Sequence, residues 1–252
     1  MAKHSKKGLN TSIISILILI AFFTLLIISL VKIINWYINN KQNEEIMKSL
    51  ENSITIETSN KDEIVEEKYN IDFDTLKETN EDTSAFLKVN GTNVEYIVVK
   101  GDDNKYYLNH NFEKEYNTAG WIFADYKNKL DGTDKNIVIY GHNMRDNSMF
   151  GSLKNILKKE WYDNEENRYV TFVTEDEQST YEVFSIYQIE KEDYYIKTDF
   201  TDKEFEEYLK IVKERSIKDF NIKITNKDNI LTLSTCANNN KYRVVLHAKK
   251  VK

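Results

Sequence analysis

The single cysteine of this 252-residue chain, Cys236, is the residue with the greatest potential for covalent chemistry. It follows an apolar, strand-like run over residues 230–235, and Arg243 lies seven positions beyond it. A lone cysteine can form no internal disulfide, and an unpaired thiol on an exported chain is exposed to oxidation. A buried cysteine that acts as a small apolar residue is the alternative. The composition therefore indicates either a reactive nucleophile or a core residue.

A cysteine nucleophile needs a group that stabilises negative charge and a group that transfers protons. If the runs that contain Cys236 and Arg243 form an antiparallel hairpin, these two residues can face each other. Strand alternation then separates an apolar face with Leu231, Leu233, Val244 and Leu246 from a polar face with Ser234, Cys236, Arg243 and His247. The planar, charged group of Arg243 suits an oxyanion or a substrate carbonyl, with a surface ion pair as the alternative.

Four histidines are candidates for the proton-transfer partner: His4, His110, His142 and His247. His4 falls on the opposite side of the membrane in the topology predicted below. In the hairpin, His247 lies about 13 Å beyond Arg243 along the strand, too far from the thiol to exchange a proton. His142 follows a predicted strand over residues 136–140, at an exit where a side chain can project over a cleft. A structural loop histidine is the alternative reading of His142.

Sequence patterns for metal or phosphate binding are absent. The chain has one cysteine, no His-x-x-x-His pair and no Asp-x-Asp-x-Asp-Gly loop, so the common zinc and calcium sites are excluded. Neither a G-x-G-x-x-G run nor a Walker loop occurs. We therefore expect no metal and no cofactor.

A membrane segment is predicted near the N-terminus. Residues 13–31 are nineteen uncharged residues rich in isoleucine, leucine and phenylalanine, and at 1.5 Å per residue they span roughly the 30 Å hydrocarbon core of a bilayer. We predict a transmembrane anchor over residues 13–38. Lysines at positions 3, 6 and 7 place residues 1–12 in the cytoplasm and the rest outside. A cleaved signal peptide is the alternative, but no small-x-small cleavage site follows the apolar run.

The exterior part is acidic. Residues 1–38 contain four of the 35 basic residues and no acidic one, which leaves 31 basic against 41 acidic residues and a formal charge of −10. This charge argues against nucleic acid as a partner. We predict that residues 39–70 form a solvated, acidic, partly helical stalk and that residues 71–252 form one domain.

Short β-type runs dominate that domain. They occur at residues 86–89, 93–99, 106–108, 120–123, 136–140, 169–173, 181–189, 230–234 and 242–247. Many short strands at close spacing indicate a barrel or a sandwich. A short helix is expected at residues 72–78. Thr201 and Glu204 have capping-box spacing ahead of apolar residues at helical intervals, which predicts an amphipathic helix over residues 201–213.

The residues around the candidate nucleophile resemble the sortase family. The similarity lies in a TLxTC strand, a downstream arginine and an upstream histidine, here Thr232-Leu233-Ser234-Thr235-Cys236, Arg243 and Tyr140-Gly141-His142-Asn143-Met144. Further segments are similar to class B sortases, at residues 72–76, 109–112, 137–144, 148–150 and 198–201. The resemblance covers about residues 70 to 252.

The resemblance implies a mostly β fold, a closed eight-stranded barrel with N-terminal helices and a helix inserted before the cysteine strand. It also implies transpeptidation. Cys236 would attack the threonine carbonyl of a C-terminal sorting motif, of the Asn-Pro-x-Thr-Asn or Pro-x-Thr-Gly kind, on a surface protein. A peptidoglycan cross-bridge or stem-peptide amine would then resolve the thioacyl enzyme. His142 would be the acid/base and Arg243 would hold the substrate carbonyl or oxyanion.

The resemblance further implies a sorting-signal groove, lined by Asn104, Leu108, Tyr140, Tyr195, Ile196, Ser234 and Thr235. The loop between Cys236 and Arg243 is shorter than in class B and holds Ala237-Asn238-Asn239-Asn240, without the acidic residue often found there. Phe86 and Ile97 stand where tryptophan and proline are common. Two alternatives remain open at this point: an L,D-transpeptidase-like wall enzyme, and a noncatalytic membrane-anchored wall scaffold.

Overall fold

The computed structural model describes residues 11–61, 64–236 and 241–252. The helices are α1 (Thr11–Leu50), α2 (Phe73–Thr79), α3 (Lys159–Tyr162) and α4 (Asp202–Glu214). The strands are β1 (Ile54–Lys61), β2 (Ile64–Ile71), β3 (Thr83–Val89), β4 (Glu95–Val99), β5 (Phe123–Ala124), β6 (Asn136–His142), β7 (Tyr169–Val173), β8 (Gln178–Glu190), β9 (Ile230–Cys236) and β10 (Tyr242–Lys250). Short 3-10 helices lie at Glu51–Ser53, Tyr106–Leu108, Gly151–Leu157, Glu165–Arg168 and Tyr194–Ile196.

Strands β3 to β10 close into a barrel in the order β10, β8, β7, β3, β4, β5, β6, β9, and β9 pairs with β10. The pairs β4/β5 and β6/β9 are parallel, and the other neighbours are antiparallel. Apolar side chains pack within and around the barrel, with Phe86, Trp121 and Phe172 among the largest that are buried. The prediction of a closed, mostly β, eight-stranded barrel is confirmed.

Two predicted β runs differ from the structure. Residues 106–108 form a 3-10 helix instead of a strand, because the Asp103 carboxylate accepts hydrogen bonds from the backbone N–H groups of Lys105 (2.7 Å) and Tyr106 (2.9 Å) and closes a turn. Of the run at 120–123, only Phe123 lies in a strand, the two-residue β5. A backbone bond from the Gly120 N–H to the Asn117 carbonyl, with Gly120 at φ +59°, keeps the preceding residues in a turn.

Helix α4 forms as its capping box predicts. The Glu204 N–H donates to Thr201 Oγ1 at 3.3 Å, and the Glu204 carboxylate accepts from the Thr201 N–H at 2.8 Å. The buried stripe of the helix, Phe205, Tyr208, Leu209 and Val212, packs in one cluster with Ile230 of β9 and Val245 of β10. The helix therefore supports the outer face of the two strands that carry the candidate nucleophile and Arg243.

The segment ahead of the domain differs from the predicted solvated stalk. Helix α1 continues without a break to Leu50, and its residues Asn43, Ile46 and Leu50 are buried. Asn43 Nδ2 donates to the Gly120 carbonyl at 3.1 Å, and Asn117 Nδ2 donates to Asn43 Oδ1 at 2.9 Å. Strands β1 and β2 then form a separate hairpin. The acidic side chains dominate the composition and obscure this buried stripe, which spacing at i, i+3 and i+7 could have revealed.

The N-terminal part of α1 is long and apolar enough to cross a membrane, and none of its apolar segment is buried by the rest of the chain. It is the one such helix among residues 11–61, 64–236 and 241–252. Lys3, Lys6, Lys7 and His4 lie outside the described residues.

Candidate active site

The parallel strands β6 and β9 end side by side. Their register runs from Asn136 beside Ile230 to His142 beside Cys236, so the last two residues are Cα partners. The side chain of Cys236 and residues 237–240 lie outside the described residues. The relationship is therefore one between backbones, and it brings the predicted nucleophile and the predicted proton-transfer residue to the same edge of the barrel.

The antiparallel pairing of β9 with β10 aligns the predicted arginine with the same edge. Ser234 lies opposite Val245 and Leu233 opposite Leu246, and the same register, extended by two residues along β9, would bring Cys236 opposite Arg243. Thr235 Oγ1 accepts a hydrogen bond from the Val244 N–H at 2.9 Å and extends the pairing toward the strand ends. The Cα pairs of β9 and β10 agree with the hypothetical hairpin in which Cys236 and Arg243 share a polar face.

His142 is only 4% exposed, and its ring is oriented by a backbone carbonyl. Nε2 lies 2.7 Å from the carbonyl oxygen of Leu108. Because a carbonyl can only accept, Nε2 carries a proton, and Nδ1 is the basic nitrogen of the neutral ring. The same carbonyl would stabilise an imidazolium. The Leu108 carbonyl therefore fixes the tautomer and the orientation of the His142 ring.

Gly141 permits the tight packing behind His142. A Cβ atom at this position would lie 2.4 Å from Ile122 Cδ1 and 2.7 Å from Phe150 Cγ. The Phe150 N–H also donates to the His142 carbonyl at 2.9 Å, which fixes the loop that follows β6. Any side chain at position 141 would push the strand end, and His142 with it, away from its neighbours.

The other two histidines of the described residues have structural surroundings. His247 is fully buried, and its ring nitrogens lie 2.8 Å from Tyr187 OH and 2.8 Å from Thr232 Oγ1. Burial, assisted by the charge of Arg215, lowers the pKa of His247 to about 3, so the ring is neutral. His110 stacks on Tyr106 with ring centroids 3.9 Å apart.

A cavity of about 360 Å³ lies beside the edge where β6 and β9 end. His142 and Arg243 line it, together with all seven residues expected in the groove: Asn104, Leu108, Tyr140, Tyr195, Ile196, Ser234 and Thr235. Tyr195 OH and Ser234 Oγ are 3.0 Å apart, which joins the wall formed after β8 to the floor formed by β9. The structure thus brings the predicted substrate-binding residues together with two of the three predicted catalytic residues.

Four further lining residues were missed by sequence reasoning: Phe123, Lys191, Glu192 and Asp193. Phe123 pairs with Tyr140 across β5 and β6, and the other three come shortly before Tyr195 in the chain. Arg215, next to the end of α4, forms an ion pair with Glu192 and lies 5.4 Å from the centre of the Tyr194 ring. Proximity to Tyr195 in the chain was the available sequence signal for Lys191, Glu192 and Asp193, and Phe123 had none.

Comparison with known proteins identifies the family. The model of the Sortase domain matches residues 87–251. Sortase B of Listeria monocytogenes is 40% identical over 182 residues, which cover 70% of this chain and 72% of the relative. The crystal structure of sortase B from B. anthracis in complex with AAEK1 is 32% identical and covers 86% of this chain and 99% of that chain, with a TM-score of 0.74. The Staphylococcus aureus sortase B–substrate complex is 35% identical, with a TM-score of 0.67. The match covers 71% of this chain and 84% of that chain.

The closed barrel and the edge groove are thus those of a sortase, and the chain belongs to the sortase family. Its relatives place it in class B, so it is a transpeptidase. Membership of this family decides against the L,D-transpeptidase and the noncatalytic scaffold.

Proposed function

We propose that this class B sortase cleaves a C-terminal sorting motif after its threonine and transfers the protein to a peptidoglycan amine. The motif is of the Asn-Pro-x-Thr-Asn or Pro-x-Thr-Gly kind. The observation that carries the proposal is the alignment of His142 with Cys236 at the mouth of a groove that Arg243 also lines. A solved sortase B holds a substrate and another is complexed with triglycine, an amine. These two ligands are of the classes that a sorting signal and an acceptor supply.

In the first half of the proposed reaction, the Cys236 thiolate attacks the carbonyl carbon of the motif threonine. The carbonyl π electrons move to oxygen, and the Arg243 guanidinium stabilises the resulting oxyanion. As the oxyanion collapses, the C–N bond breaks, and protonated His142 gives a proton to the departing amine. The products are a released C-terminal peptide and a thioacyl enzyme.

In the second half, the nitrogen of the incoming amine attacks the thioester carbonyl and forms a second oxyanion. Neutral His142 takes a proton from the amine in this step. Collapse of the second oxyanion breaks the C–S bond, forms the new amide and regenerates the thiolate and the imidazolium. The Leu108 carbonyl keeps the proton of Nε2 in place throughout, so that Nδ1 is the nitrogen that cycles. Proton and charge therefore balance over one turnover.

We also propose that residues 13–38 anchor the enzyme in the bacterial cell membrane. Residues 1–12 would lie in the cytoplasm, with the stretch 39–70 and the catalytic domain 71–252 outside, where surface proteins and peptidoglycan are found. The exposed apolar part of α1 and the lysines ahead of it support this topology. The lipid bilayer is thus a third partner beside the sorted protein and the acceptor amine.

The experiment is to incubate the full-length chain in detergent micelles with a panel of sorting-motif peptides and amines, and to read the products by mass. The expected product joins the peptide, up to and including threonine, to the amine, with release of the C-terminal fragment. The same panel identifies the preferred motif and acceptor. Intact peptides throughout would contradict the proposal, and so would equal products from Cys236→Ala.

A further inference from the structure

Asp125 is a buried carboxylate between the two groove residues Tyr140 and Asn104. It directly follows β5, is 4% exposed, and donates its backbone N–H to the Val138 carbonyl of β6 at 2.8 Å. Its Oδ1 accepts the Lys127 N–H at 3.0 Å. The backbone of Asp125 and one carboxylate oxygen are therefore held by neighbouring main-chain groups.

The other carboxylate oxygen joins two side chains of the groove. Asp125 Oδ2 accepts from Tyr140 OH at 2.8 Å and from Asn104 Nδ2 at 2.8 Å. Asn104 Oδ1 in turn accepts the Tyr126 N–H at 3.0 Å, which fixes the orientation of the amide. Tyr140 and Asn104 come from different parts of the barrel, yet they meet at a single buried atom.

A carboxylate has no proton to donate, so Tyr140 must be the donor to Asp125. Hydrogen bonds from neutral donors to a buried carboxylate are short and strong, and they restrict both the ring and the direction of the hydroxyl proton. An asparagine at position 125 could accept through only one of its two polar atoms. It could then not keep both the Lys127 N–H and the Tyr140–Asn104 pair as donors, and the bonds that it kept would be to an uncharged, weaker acceptor.

We propose that Asp125 is a positioning residue for sorting-signal binding, which fixes Tyr140 and Asn104 in the groove before the peptide enters. This inference rests on the proposed function, because it assigns the cavity to the sorting signal. The two side chains that Asp125 Oδ2 holds belong to the wall of the groove. The effect of Asp125 is therefore on peptide affinity, with the chemical steps unchanged.

A second cavity, of about 710 Å³, supports this position for Asp125. Asp125 lines it, and Asn104, Asp193 and Ile196 line both this cavity and the one beside His142. The Asp125–Asn104 hydrogen bond therefore lies at the boundary between the two cavities, because Asn104 lines both of them. A peptide that continues from the reacting threonine into the second cavity would pass directly over this pair.

The test compares steady-state kinetics of the full-length Asp125→Asn, Tyr140→Phe and double variants with the wild type. We expect each single variant to raise KM about tenfold or more, as loss of a hydrogen bond to a charged group does, while kcat stays within about threefold. The double variant should raise KM little beyond the larger single effect, because Asp125 acts through Tyr140. Additive effects of the two substitutions, or a fall in kcat at unchanged KM, would overturn the inference.

Asp134→Asn is the matched control. Asp134 lies in the same connection between β5 and β6, and its carboxylate accepts from the N–H groups of Lys129 (3.0 Å) and Leu130 (2.7 Å), but it lines neither cavity. We expect the KM of Asp134→Asn to equal that of the wild type. A tenfold rise would overturn the inference, because it would show that any carboxylate in this connection has the same effect.

If Asp125→Asn fails to fold, Tyr140→Phe decides, because an unchanged KM in Tyr140→Phe also overturns the inference. Absence of cleavage by the wild type would instead contradict the proposed function.

Discussion

Nε2 of His142 lies 2.7 Å from the carbonyl oxygen of Leu108, so the candidate acid/base is held by a residue of the groove wall. Leu108 is the last residue of a 3-10 helix that the Asp103 carboxylate initiates. One short segment therefore supplies both a lining residue of the groove and the carbonyl that orients the imidazole. Movement of this segment would alter peptide binding and proton transfer together.

Cys236→Ala should abolish formation of the peptide–amine product, because no other residue of the chain can supply a thiolate. Peptide cleavage is followed by mass, and the melting temperature is measured in parallel. We expect the melting temperature to change little. Cleavage at the wild-type rate by the alanine variant would disprove the covalent mechanism.

Arg243→Lys should lower kcat/KM by about 10² or more, as expected for a contact to an oxyanion, because an ammonium does not reproduce the planar guanidinium fork. Arg168→Lys is the matched control. Arg168 is 3.5 Å from Glu165 in a surface pair and does not line the groove. We expect the control to retain wild-type kcat/KM. A loss below about tenfold in Arg243→Lys would reduce Arg243 to an ion-pair residue.

Gly141→Ala should lower both stability and activity. The added methyl would overlap Ile122 and Phe150, and overpacking of this kind typically costs about 1–3 kcal/mol of unfolding free energy. Relief of the overlap would displace His142 from Leu108, so kcat should fall as well. Gly101→Ala is a milder control, since its Cβ would come no closer than 3.3 Å to Tyr107. Equal urea midpoints and rates for the two variants would contradict this explanation.

His247 makes stability sensitive to pH. Its pKa is about 3 in the folded chain against 6.5 for an ordinary histidine, so the unfolded chain binds a proton in this range that the folded chain does not. The unfolding free energy should therefore fall as pH drops below about 6.5, by about 2 kcal/mol at pH 5 for this residue. Denaturation at pH 7 and pH 5 measures the loss, and His247→Gln should lose that much less. Identical losses in both proteins would refute the assignment.

The sequence alone was sufficient to predict the structural features that depend on local periodicity. Alternation of side chains along β9 and β10 is enough to put Cys236 and Arg243 on the same polar face, since the period of a strand is two residues, and the pairs that the two strands form fit a hairpin of this kind. Thr201 and Glu204 cap α4 because their side chains reach backbone groups three residues away. Both results depend on short-range geometry that a few residue types determine.

Other features depended on contacts between distant segments. The turn bonds of Asp103 convert the run at 106–108 into the 3-10 helix that presents the Leu108 carbonyl to His142. The stripe of α1 that includes Ile46 is buried only because the barrel lies against it. The contact between Leu108 and His142 leaves no periodic pattern in the sequence. The α1 stripe has helical spacing, but nothing in that spacing shows that the barrel covers it.

The sequence by itself determined the type of chemistry and the family resemblance, through a single thiol, one arginine at strand spacing and a histidine after an apolar run. Tertiary structure alone decided that His142 lies beside Cys236 and that Asp125 joins Tyr140 to Asn104. The reason is physical. Side-chain parity and helix caps are fixed within a few residues, whereas parallel pairing of β6 with β9 follows from closure of the whole barrel.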